Sequence, residues 1–120
     1  MIIAAVDDLL FSSKIRTTAK LAGVELVFAR TPAEILTKTR ALHPSLIIFD
    51  LNCSKASPID TVAAIKKDPE IGSTRMLGFV SHVHTGLIDA ARGAGIDEVM
   101  ARSSFVTRLG DILVAARPHD

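Results

Sequence analysis

The sequence predicts an open, doubly wound α/β domain: a five-stranded parallel sheet with helices on both faces, one three-layer domain over residues 1–120. Two observations carry that expectation. Short apolar runs at 2–6, 24–29, 46–49, 76–80 and 98–101 alternate with longer segments of helical spacing. Most of these runs are nearly continuous in Ile, Val, Leu or Phe rather than cleanly alternating, which is how strands read when both faces of a parallel sheet are covered. Five consecutive β–α units joined by right-handed crossovers give such a sheet. A closed eight-stranded barrel needs far more than 120 residues.

Each helix has its own signals. Phe11, Ile15, Ala19 and Ala22 share one face of the first, and Ile35, Leu36, Thr39 and Leu42 one face of the second. Val106, Leu109, Ile112, Leu113 and Ala116 do the same in the last. "TPAE" sets Thr31 as N-cap, Pro32 at the first helical position and Glu34 where a capping box needs it. "SPID" predicts the same arrangement from Ser57, Pro58 and Asp60. Pro44 stops the second helix, Asp68-Pro69 the third, and Gly95 the fourth through a left-handed cap.

Composition narrows the function. Apolar residues make up 48% and charged residues 22% of the chain, a folded balance. The net charge is +1 with no basic run, so neither nucleic acid nor an anionic membrane is an expected partner. The apolar start is too short for a signal peptide and no run approaches a membrane span. Cys53 stands alone and excludes an internal disulfide, so the expected location is cytoplasmic.

In open α/β sheets ligands bind at the carboxyl ends of the strands, near the point where strand order reverses. Strand one is expected to end in Asp7-Asp8, strand three in Asp50, strand four in Val80-Ser81, and strand five to run into Arg102. Three carboxylates crowded without counter-charge repel one another, and a hard divalent cation relieves that. Beside Mg²⁺, a hydroxyl and a cation, a carboxylate is a competent nucleophile toward a phosphoryl group. Plainer roles exist for each residue. Asp7 and Asp8 suit helix capping, Asp50 a solvated strand end, and Arg102 a surface ion pair with Asp50. His82 and His84 read as a polar loop, Cys53 as a small loop residue, and Lys66 and Lys67 as a solvated helix face.

"VDD" at 6–8, "IIFDLN" at 47–52 and "GIDEVMARSSF" at 95–105 together make the whole chain resemble a response-regulator receiver domain, the phosphoacceptor module of two-component signalling. The resemblance implies the flavodoxin-like strand order 2-1-3-4-5, with Asp50 as the phosphorylated residue. It also implies Mg²⁺ held by Asp8, Asp50 and the main-chain carbonyl of Asn52, with Asp7 acting through bound water. "GIDEVMARSSF" resembles the family's strand five and the loop beyond. The family's lysine falls on Arg102, followed by Ser103 in place of a proline, and its switch aromatic falls on Val99. Counting places either Val80 or Ser81 at the hydroxyl position, with Ser81 favoured because a hydroxyl at a strand end invites that role.

Three functions follow. The first is a non-enzymatic phosphoacceptor, phosphorylated on Asp50 by a histidine kinase or phosphotransfer protein and read by an output protein; self-association into a homodimer is open. The second is a degenerate receiver binding partners independently of phosphorylation. The third is a small phosphatase with Asp50 as nucleophile, since "DLNCS" faintly resembles the nucleophile loop of haloacid-dehalogenase-type hydrolases.

Overall fold

The five apolar runs form β1 (Ile2–Ala5), β2 (Leu26–Phe28), β3 (Leu46–Asp50), β4 (Met76–Val80) and β5 (Glu98–Ala101) in a computed structural model that describes residues 1–81 and 85–117. All neighbouring strands are parallel and the order is β2-β1-β3-β4-β5. Chain order reverses at β1, which has β2 on one side and β3 on the other.

Among the described residues, five α-helices cover the sheet: α1 (Leu9–Ala22), α2 (Pro32–Leu42), α3 (Pro58–Lys67), α4 (Thr85–Ala94) and α5 (Arg102–Ala115). The period-two alternation of a strand sorts its side chains between two cores. Ile47, Phe49 and Val80 pack with Ile35, Val62, Ile65 and Ala91 from α2, α3 and α4. Ile48, Leu77 and Phe79 pack on the other face with Phe11, Ile15, Phe105 and Leu109 from α1 and α5. Both faces of the central strands are therefore dry, which is why their sequences do not alternate. Among the described residues, no helix is long and apolar enough to cross a membrane.

The predicted helix boundaries hold at most ends. Thr31 Oγ1 accepts a hydrogen bond from the Glu34 N–H at 3.2 Å, and Glu34 Oε1 accepts one from the Arg30 N–H at 2.8 Å. The box thus closes one residue before the cap. His43, in the left-handed region at φ +46°, ends α2 ahead of Pro44. Gly95 ends α4 at φ +109°, and a Cβ there would lie 2.6 Å from Lys66 Cγ.

Three local expectations fail. Ser57 precedes α3, but its side chain makes no capping bond and its backbone is left-handed at φ +40°. A single 3-10 turn, Ser54–Ala56, delivers the chain into α3, and the buried Thr61 hydroxyl ties back to the Ala56 carbonyl at 2.7 Å. β1 stops at Ala5, so Val6, Asp7 and Asp8 form the connection rather than the strand end. No loop follows β5: α5 begins at Arg102, directly after Ala101.

Two measurements test the packing. Gly78 lies in the middle of β4, and an added Cβ would sit 2.8 Å from Ile96 Cδ1 and 3.0 Å from Leu51. Gly78→Ala is expected to lower unfolding stability by about 1–3 kcal/mol in urea titration, as overpacking does. Asp68 accepts hydrogen bonds from Arg40 Nε and Nη2 at 3.1 and 2.8 Å, tying the end of α3 to α2. That guanidinium, helped by the Glu70 N–H, holds the Asp68 carboxyl below its usual range. Its stabilisation is therefore complete above the unfolded value of about 4 and lost as pH falls through the lowered folded value. Asp68→Asn should lower the urea midpoint at pH 7, and the gap from the parent should close on acidification below about pH 4.

Candidate functional site

Asp50 is the last residue of β3, in register with Phe79 of β4. The chain turns sharply beyond it. Asp50 Oδ1 accepts the Asn52 N–H at 2.9 Å, and the Asp50 carbonyl accepts the Cys53 N–H at 3.0 Å. Such an Asx turn points the carboxylate along the strand edge. Burial pushes the Asp50 carboxyl above its usual value; the Asn52 N–H and the Arg102 charge oppose that, while the Asp8 charge adds to it.

Asp8 is the N-cap of α1, its Oδ1 accepting the Phe11 N–H at 2.9 Å. The capping role therefore holds, but it uses only one oxygen. The other, Oδ2, lies 3.7 Å from Arg102 Nη2. Asp7, half-buried, is bracketed by cations: Oδ1 is 3.4 Å from Arg30 Nε and Oδ2 is 3.3 Å from Lys55 Nζ.

Arg102 opens α5 with its guanidinium carbon 4.2 Å from the centre of the Phe11 ring, a cation–π contact. Phe11 is itself fixed by Phe79, with centroids 5.0 Å apart, and Phe79 stacks on Phe105 at 4.6 Å. A rigid aromatic floor thus holds the cation beside Asp8. The ion pair expected between Arg102 and Asp50 is made with Asp8 instead.

Ser81 follows β4, and its N–H donates to Asn52 Oδ1 at 2.8 Å, joining the β3 and β4 connections. Val80, the other candidate for the hydroxyl position, is buried in the core beneath α3 and α4. Val99 packs against that same core. Asp50, Asp8, Arg102, Asn52 and Ser81 therefore share one edge of the sheet. Asp7 shares it too, committed to other partners. Cys53 is buried next to the turn. His82 and His84 lie outside the described residues.

Sequence reasoning missed three contributors: Arg30, Lys55 and Phe11. Arg30 follows the apolar run of β2, so reading that strand end like the others would have found it. Lys55 lies in an irregular turn whose path no spacing rule gives. Phe11 reads as an ordinary core residue.

Among the described residues, no three His, Cys, Asp or Glu side chains are grouped closely enough to hold a metal. A smaller donor set is present. Asp8 Oδ2 and the second Asp50 oxygen accept no hydrogen bond from the described residues. Mg²⁺ commonly takes one or two carboxylates and completes its shell with water and phosphate oxygens, so this pair fits it.

No family model and no curated protein matches the chain; the solved structures give the likeness. The chemotaxis response regulator CheY4 of Vibrio cholerae superposes with a TM-score of 0.81 at 18% identity, over 97% of both chains. The phosphorylated cyanobacterial phytochrome response regulator RcpA gives 0.78 at 20% identity, over 95% of this chain and 88% of that one. The Mn²⁺-bound response regulator Rcp1 gives 0.76 at 17% identity, over 95% and 88%. The fold is that of the response-regulator receiver domain, with its flavodoxin-like strand order.

Asp8 can be dissected by charge. Asp8→Asn keeps an N-cap of equal quality, and Asp8→Ala removes it. The alanine variant should lose about 0.5–2 kcal/mol of unfolding stability, and the asparagine variant should lose markedly less in the same urea titrations.

Proposed function

We propose that the chain is a phosphoacceptor receiver domain, with Asp50 taking a phosphoryl group from the phosphohistidine of a histidine kinase or phosphotransfer protein. The observation that carries this reading is the Asp50 carboxylate at the carboxyl end of β3, one strand from the order reversal, with the charges of Asp8 and Arg102 acting on it. The phosphorylated RcpA and the Mn²⁺-bound Rcp1 support the same chemistry.

The Asn52 N–H holds the Asp50 carboxylate in place, and an oxygen of that carboxylate attacks phosphorus. The P–N bond to the donor imidazole breaks, its electron pair stays on that nitrogen, and Asp50 becomes an acyl phosphate. Partial burial strips water from the nucleophile. Arg102, a planar donor fork, neutralises the arriving oxygens. The Ser81 hydroxyl, held near Asn52 by the Ser81 main chain, serves as a donor to the bound phosphoryl group. Asp8, Asp50 and the Asn52 carbonyl would hold Mg²⁺, with Asp7 contributing through water; the ion supplies charge neutralisation at the transferred group. The domain turns over no separate substrate, works in the cytoplasm and signals through an output protein.

A specific observation favours one second reading. Asp7 and Asp8 are already ion-paired, and Val99 stands where the family's switch aromatic was expected. Those features suit a receiver that binds partners without phosphorylation.

Incubation with Mg²⁺ and a small phosphodonor such as phosphoramidate separates the two. The parent chain is expected to gain the mass of one phosphoryl group, and Asp50→Asn to gain none. An unchanged mass, beside a control receiver that labels under the same conditions, overturns the proposal.

A further inference from the structure

Three carboxylates gather at the carboxyl edge, and three cations answer them: Arg30 and Lys55 at Asp7, Arg102 at Asp8. The formal charges of these six side chains cancel. The donors for a divalent cation, Asp8 Oδ2 and Asp50, are also the groups that Arg102 faces, by ion pair and by charge respectively.

The placement of Arg102 is itself informative. It is the first residue of α5, where unpaired N–H groups make a cation unfavourable. Contacts that offset this are the Asp8 carboxylate at 3.7 Å and the Phe11 face at 4.2 Å. The Phe11 ring is only 5% exposed and wedged against Phe79 and Phe105. The guanidinium is thus seated on a core-anchored platform rather than swinging free in solvent.

We propose that Arg102 is a built-in counter-ion that competes with a divalent cation for the Asp8–Asp50 pair, so that the resting site holds a guanidinium in place of a metal. This rests on the donor set named under the proposed function and adds a specificity-determining residue to it. A cation entering the pair must displace Arg102 from Asp8 or bind beside a like charge. Either course weakens its binding. An arriving phosphoryl group resolves the conflict, because its oxygens offer Arg102 a bidentate partner and release Asp8.

The test measures Mn²⁺ binding to the unmodified protein by electron paramagnetic resonance of the free ion, with no phosphodonor present. Arg102→Gln keeps a planar, stackable side chain and removes the charge. It should bind Mn²⁺ roughly tenfold tighter than the parent, the effect of removing one nearby like charge. Arg102→Lys should restore weak binding. Arg108→Gln removes a charge from the same helix at a residue paired with Glu98, and should change affinity less than twofold. Circular dichroism and urea midpoints confirm that each variant is folded. Binding by Arg102→Gln no tighter than by Arg108→Gln overturns the proposal. So does tightening that survives Asp50→Asn in the Arg102→Gln background, since the ion would then sit elsewhere. The phosphoryl mass gain is a separate readout, so a parent chain that never labels removes the phosphoacceptor reading and leaves the Mn²⁺ comparison to stand or fall alone.

Discussion

A parallel sheet buried on both faces has only its edges left for chemistry, and the rest of the molecule follows from that constraint. Helices α1 and α5 close one face and α2, α3 and α4 the other. Polar side chains carried by the strands must emerge where the strands end. At the carboxyl edge the reversal of strand order sends the connections that leave β1 and β3 to opposite faces of the sheet, the arrangement that opens a crevice in open α/β sheets. The cluster of Asp7, Asp8 and Asp50 is what the fold can present at that crevice. The cations gathered around the cluster are what keep three carboxylates at one edge from being a liability.

The residues at this edge each serve two masters. Asp8 caps α1 with one oxygen and faces Arg102 with the other. Asp50 ends a core strand and seeds a turn. Asn52 donates its main-chain N–H to Asp50 while its side chain accepts the Ser81 N–H, binding two connections into one surface. Site geometry and local folding therefore share several of the same bonds.

The architecture was legible because its signals are redundant. Continuous apolar runs, amphipathic segments and boundary residues such as Thr31, Pro44 and Gly95 all pointed to one topology. The positions of Asp50, Ser81 and Arg102 were legible because each follows an apolar run directly, and that of Asp8 because it lies two residues past one. What escaped depended on path or partner. Ser57 carries the sequence of an N-cap, but the 3-10 turn ahead of it imposes a left-handed backbone that turns the hydroxyl away from the helix start. Lys55 reaches Asp7 across that same irregular turn. The choice of Asp8 over Asp50 as the ion-pair partner of Arg102 is set by the Phe11 platform, a tertiary feature that local sequence does not carry.

The direct passage from β5 into α5 has a mechanical side. A connecting loop would act as slack, absorbing a small displacement at the strand end before it reached the helix. Here the residue that answers the charge of the site is also the first residue of α5, and that helix runs 14 residues, about 21 Å at 1.5 Å per residue. Any re-aiming of Arg102 that disturbs its backbone is applied at the end of a stiff rod. The far end of that rod, near Ala115 and the amino-terminal edge of the sheet, is the place where such leverage is felt most.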